Sequence, residues 1–179
     1  MRVCALSVRK KEKDSHLILM VPIIAILILC VDQLTKFIIH KNLLLNQSFP
    51  IIKGIFHLTL IHNRGAAFGI LKNQIPIFIF TSVLAVILIY FYLRKDKSRT
   101  CAQGRDKRKK LSITTLSLSL ILGGALGNLI DRIFLGYVVD FLDFRVWPVF
   151  NLADSAITIG VILFGYSILN SKKNVSHNL

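Results

Sequence analysis

The chain reads as an all-α integral membrane protein with four transmembrane helices. Composition, the length of the apolar runs and the placing of positive charge carry this reading. Of 179 residues, 54% are hydrophobic and 18% charged, with a mean hydropathy of +0.62. A soluble domain of this size rarely holds so much apolar mass. Several runs approach the roughly 20 residues needed to span a bilayer. The length suits a single membrane domain, 1–179. The formal net charge of +14 would suggest nucleic acid if it lay on a folded face. Instead it sits in an amino-terminal cluster and one central stretch, both bordering apolar runs, which is the positive-inside pattern. Nothing supports a nucleic-acid readout module, so no nucleic acid is expected as a partner.

The elements follow in order. Residues 1–16 are polar and basic, with Arg2, Arg9, Lys10, Lys11 and Lys13. An apolar run follows, but no A-x-A-like cleavage site succeeds it, so it reads as an uncleaved first span over 17–39. Residues 40–74 are punctuated by Pro50, Gly54, Gly65 and Gly69 and too polar to span. Within them IIKGIFHLTLI has the β-branched and aromatic content of short strands. The second span is 75–93, with Tyr90 and Tyr92 as interfacial aromatics. The stretch 94–110 holds nine Lys or Arg against two Asp and reads as a solvated basic loop. The third span is 111–131, the segment 132–150 a connection, and the fourth span 151–170, followed by Lys172 and Lys173. An even number of spans puts both termini on one side. All three basic segments assign that side to the cytoplasm, which turns 40–74 and 132–150 outward.

The acidic residues then sort themselves. Glu12, Asp14, Asp96 and Asp106 fall in cytoplasmic segments. Asp32, Asp131, Asp140, Asp143 and Asp154 all fall at outer ends of spans or in outward connections. Acids this close to hydrocarbon are costly and usually functional. Asp32 and Lys36 are spaced i,i+4 and share a helix face, either as a structural ion pair or as support for a site. Asn63 opens a stretch of small residues and can donate to and accept from a peptide, although an ordinary turn has the same composition. Gly123 and Gly127 make a face for tight helix packing. Asn128 and Asp131 share one helix face, and the guanidinium of Arg132 suits a carboxylate. Asp140 sits among Val138, Val139, Phe141 and Leu142, where desolvation raises a carboxyl's pKa; Asp143 is the alternative. Asn151 and Asp154 open the fourth span, where capping explains part of the acid's presence. Cys30 reads as a small core residue.

Other chemistries fit less well. No His, Cys and Asp set has metal-ligand spacing, so neither metal nor cofactor is expected. Neither a G-x-S-x-G elbow nor an S-x-x-K dyad accompanies Ser155. Carboxylate pairs with amide support remain.

Five stretches, in this order, resemble the lipoprotein signal peptidases (signal peptidase II): DQLTK at 32–36, NRGAAFG at 63–69, GGALGNLIDR at 123–132, VVDF at 138–141 and FNLADSAITIG at 150–160. The resemblance implies a membrane aspartyl endopeptidase of the bacterial inner membrane. It would remove the signal peptide from diacylglyceryl-modified prolipoproteins, cutting before the lipidated cysteine. It implies catalytic roles for Asp140 and Asp154, and supporting or substrate-binding roles for Asp32, Lys36, Asn63, Asn128, Asp131, Arg132 and Asn151. It also implies an extracytoplasmic β-cradle within part of 40–70, membrane lipid as a partner, and a monomer. A transporter is the main rival, but an ion path needs polar residues on both sides of the midplane. A structural assembly factor leaves the five outward aspartates unexplained.

Overall fold

The structure, a computed structural model, describes residues 2–65, 73–100 and 108–176. Its elements are α1 (Arg2–Asn42), β1 (Ser48–Ile52), β2 (Phe56–Asn63), α2 (Ile75–Thr100), α3 (Arg108–Phe134), β3 (Val138–Asp143) and α4 (Leu152–Ser176). Among the described residues, the stretches long and apolar enough to cross a bilayer are Met20–Asn42, Ile75–Arg94, Ile113–Phe134 and Leu152–Asn170. A four-span membrane protein is therefore the observed fold, carrying a small sheet at one end of the bundle.

The expected boundaries shift for a physical reason. A helix satisfies its own backbone, so in an apolar medium it continues past a polar residue whose side chain finds a partner. α1 accordingly runs beyond position 39 to Asn42, carrying DQLTK inside the helix. The expected basic loop is shorter than 94–110: α2 continues to Thr100 and α3 begins at Arg108, and 101–107 lie outside the described residues. Cys30 is exposed on α1 rather than in a core. It shares an outward surface with Ile26, Leu27, Val31 and Leu34, which suits a helix bathed in lipid.

α3 is the central helix. Half of its membrane-spanning stretch is buried, against 6% of that of α2. A Cβ on Gly123 would meet the Ala25 carbonyl oxygen at 2.7 Å, and one on Gly124 would strike the backbone of Ala153. The absence of side chains at these positions is what lets α1 and α4 close on α3 from two sides. α2 stands more apart. At the end away from the sheet Tyr92 meets Phe164 edge-on at 5.6 Å, and at the sheet end the Arg132 guanidinium lies 5.0 Å from the Phe78 ring.

The sheet is antiparallel in the order β1-β2-β3. Its third strand comes from the connection 132–150, so the sheet is not confined to the expected 40–70. Beyond α3, Leu135 N–H donates to the Asp131 carbonyl at 2.8 Å, and Gly136 takes a left-handed φ of 74°. That conformation, cheap only for glycine, turns the chain back into β3. The β2–β3 register runs His57↔Asp143 and Leu58↔Leu142, then slips to Ile61↔Asp140 and Asn63↔Val138. The extra residue on β2 is a bulge. Because strand side chains alternate faces, it puts Asn63 on the face of Asp140, while His57 stays on the face of Asp143. The His62 ring stacks between Tyr137 at 3.9 Å and His40 at 5.5 Å, tying the end of α1 to β2.

Candidate active site

The site forms where the sheet meets the ends of α1 and α3 and the start of α4. It begins with a helix terminus. The first N–H groups of α4 have no partner within the helix. Asn151 caps it: its Oδ1 accepts from Asp154 N–H at 2.9 Å, and Asp154 Oδ2 accepts from Asn151 N–H at 3.4 Å. This reciprocal arrangement is a capping box built from Asn and Asp. Asp32 Oδ1 takes the Ala153 N–H at 2.9 Å from across the bundle. Asp32 is fully buried, so a charge is needed to hold it there.

Lys36 supplies that charge. Its ammonium donates to Asp32 Oδ2 at 2.8 Å, Asp131 Oδ2 at 2.9 Å and Asn128 Oδ1 at 2.9 Å. An ammonium has three N–H groups and no acceptor, so these partners saturate it. Its contact with Asn128 settles how that amide lies. The Asn128 oxygen faces Lys36, and the amide nitrogen is left to donate to Asp154 Oδ1 at 2.7 Å. Asn151 is fixed in the same manner, because its oxygen is spent on the α4 cap. Its Nδ2 therefore donates to Asp140 Oδ1 at 2.7 Å and to Asn128 Oδ1 at 3.1 Å. One continuous amide chain thus joins Asp140 to Asp154. Gly127 leaves room for the Asp32 carboxylate, since a Cβ there would lie 2.5 Å from Asp32 Oδ2.

Asp140 is 1% exposed. Asn63 Nδ2 donates to its Oδ2 at 2.8 Å, so each carboxylate oxygen accepts one amide N–H. Burial, then the Asp154 charge, push its carboxyl up to about 7, against the opposing pull of Asn63, Asn151 and Lys36. Asp143 separates from Asp140 by strand parity. Three positions apart on β3, the two point to opposite faces. Asp143 accepts from Thr59 Oγ1 at 2.7 Å and from Arg145 Nη1 at 3.1 Å. Burial works against its ionised form, but those hydrogen bonds outweigh it and hold the carboxyl below its usual range.

A cleft of about 660 Å³ opens over the pair, with Asp140, Asp154, Asn63 and Arg132 in its lining and Phe78, Val138, Phe144, Trp147, Phe150 and Ile159 as its apolar walls. Phe78 belongs to α2 and Ile159 to α4, so the cleft lies between these two helices at the sheet end.

All nine residues named from the sequence as catalytic or supporting gather at this end of the bundle. Two have contacts other than those expected. Asn63, expected to grip a substrate backbone, spends its Nδ2 on Asp140 and its Oδ1 on Gly65 N–H at 2.9 Å. Arg132 donates to the Asn128 carbonyl at 3.3 Å and faces Phe78 rather than gripping a carboxylate. Of the small-residue stretch at 63–69, positions 66–69 lie outside the described residues. Sequence reasoning missed Gln33, whose Nε2 donates to Asp131 Oδ1 at 2.9 Å. The signal was present: Gln33 and Lys36 are i,i+3 and share a helix face.

Fold and site together define a polytopic membrane protein with a paired-carboxylate centre at one end of its bundle. A model of the family described as signal peptidase (SPase) II matches residues 24–170. The chain is 49% identical over 150 residues to the lipoprotein signal peptidase of Moorella thermoacetica, covering 82% of this chain and 91% of that one. It is 47% identical over 146 residues to that of Halothermothrix orenii, covering 80% and 91%. Among solved structures, it superposes on a bacterial membrane enzyme determined by the in meso method at 2.3 Å with a TM-score of 0.74 and 35% identity, over 86% of this chain and 90% of that one. The chain belongs to the signal peptidase II family, and so to the proteases.

Proposed function

We propose that the protein is a membrane aspartyl endopeptidase that removes the signal peptide from diacylglyceryl-modified prolipoproteins, cutting before the lipidated cysteine. Asp140 and Asp154 are the catalytic pair. The observation that carries this reading is their meeting in one cleft, joined by amides whose orientation is already decided.

Two neighbouring carboxyl groups do not both ionise cheaply, so they share a proton, and their titration belongs to the pair. The ionised member takes a proton from water as the water oxygen attacks the scissile carbonyl carbon. The protonated member gives its proton to the carbonyl oxygen. Collapse of the tetrahedral diol breaks the C–N bond: the leaving nitrogen takes a proton from the now protonated member, and a diol hydroxyl returns its proton to the other as the carbonyl reforms. The apolar cleft walls restrict bulk water and strengthen each of these interactions. In this reading Arg132, which lines the cleft with Phe78 against its guanidinium, holds a substrate carbonyl. The gap between α2 and α4 suits sideways arrival of acyl chains from the bilayer.

In this reading both termini lie on the cytoplasmic side of a bacterial inner membrane and the sheet on its outer face, where the lipid anchor holds the cleavage point; the basic segments support that orientation. The protein acts as a monomer in this reading. The test is a gel-mobility assay on a lipidated prolipoprotein with purified protein in detergent. Wild type and Asp143→Asn should cleave, whereas Asp140→Asn and Asp154→Asn should not. An inert wild type on a verified lipidated substrate would overturn the reading.

A further inference from the structure

Asp131 is a junction between three elements. Its Oδ1 accepts from Gln33 Nε2 of α1 at 2.9 Å, and its Oδ2 accepts from Lys36 Nζ at 2.9 Å and from Val139 N–H of β3 at 3.2 Å. Val139 immediately precedes Asp140, and its carbonyl lies 3.4 Å from Asn151 Nδ2. The backbone leading into Asp140 is therefore held from the helix side through the Asp131 carboxylate.

We propose that Gln33 is a positioning residue for Asp140, acting through Asp131 and the β3 backbone. The proposal rests on the carboxylate pair being the catalytic centre. Gln33 Nε2 also lies 3.2 Å from the Gly127 carbonyl and 3.3 Å from Asp32 Oδ2. Every acceptor it faces is an oxygen, so only the nitrogen of the amide fits there. Without this donor, Asp131 is held through Oδ2 alone, where Lys36 and Val139 compete. The Val139 contact is the longest of the three and the first to lengthen when the carboxylate turns. Lys36 still neutralises Asp131, so the fold keeps its buried ion pair while Asp140 loses its setting. Misplacing a catalytic group by a fraction of an ångström lowers turnover by roughly tenfold or more. Substrate binding in the cleft does not involve Gln33, so KM should hold.

The experiment measures kcat and KM per folded molecule across pH, on a diacylglyceryl-modified prolipoprotein, for wild type, Gln33→Met, Gln33→Glu and Asp140→Asn. Gln33→Met should lower kcat about tenfold with KM within about twofold. Gln33→Glu sets an oxygen against the Asp131, Asp32 and Gly127 oxygens and offers a donor there only while it carries its own proton. The alkaline limb of its pH–rate profile should therefore move to lower pH, as ionisation removes the donor to Asp131, a change that loss of folded protein alone would not produce. Should Gln33→Met fail to accumulate, the isosteric Gln33→Glu carries the test through that profile. Wild-type kcat and profile in the variants, with Asp140→Asn inert, would sink the assignment of Gln33 alone. Cleavage by Asp140→Asn would instead sink the carboxylate pair.

Discussion

Replacing Asp140 by asparagine should make the protein more stable in alkali and less stable in acid. Burial and the Asp154 charge raise the Asp140 carboxyl from an ordinary 3.8 to about 7. The folded state therefore binds this proton more tightly than the unfolded chain. Its contribution is full below about 3.8 and disappears as pH rises through about 7. At about 1.4 kcal/mol per tenfold change in proton affinity, the swing is about 4 kcal/mol. Asparagine is neutral throughout and escapes that loss. Against this, Asn63 and Asn151 each aim an N–H at one Asp140 oxygen, at 2.8 and 2.7 Å. An amide turns one of those oxygens into a donor facing a donor, which costs about 1–3 kcal/mol at any pH. The variant should thus gain roughly 1–3 kcal/mol at pH 8 and lose a similar amount at pH 4. Unfolding in mild detergent, followed from pH 4 to pH 9, should show the two stability curves crossing. Parallel curves would mean that Asp140 titrates as an ordinary surface carboxyl, and the electrostatic account of the site would fall.

Two further outcomes follow from the same geometry. Lys36→Met leaves Asp32 and Asp131 facing each other without their cation; removing one partner of a buried pair costs about 3–5 kcal/mol, so the variant should accumulate poorly and unfold early in detergent, and wild-type unfolding would refute the role assigned to the ammonium. A single cysteine placed at Gln47, in an otherwise cysteine-free chain, should react with an impermeant reagent from outside intact cells; labelling only after lysis would reverse the proposed topology.

Much of this molecule was legible in its sequence because membrane proteins obey few rules strictly. Span number followed from apolar length, and the grouping of polar residues followed from the cost of burying them in hydrocarbon. The raised carboxyl at Asp140 was legible too, in its β-branched neighbours. What stayed hidden depends on contacts between distant elements. Asp140 and Asp143 have similar surroundings along the chain, and only the sheet face separates them. Asn63 looked free to bind substrate because nothing local reveals that Asp140 lies across the strand. Gln33 was passed over since an amide beside a Lys–Asp pair draws less notice than the charges do. The third strand hid in a connection, where its partner is 75 residues away, as the Asn63↔Val138 pairing records.

The bulge in β2 carries a consequence of another kind. Between Leu58 and Ile61 the strand spends one residue more than its partner does, and every side chain beyond is turned over. Deleting one residue there would leave DQLTK, NRGAAFG, VVDF and NLAD intact, letter for letter, yet face Asn63 away from Asp140. Any search that recognises members by their motifs would still accept such a chain. The recipe for this site therefore includes a count as well as residue names, and a one-residue gap at this point in a relative says more about its chemistry than many substitutions elsewhere.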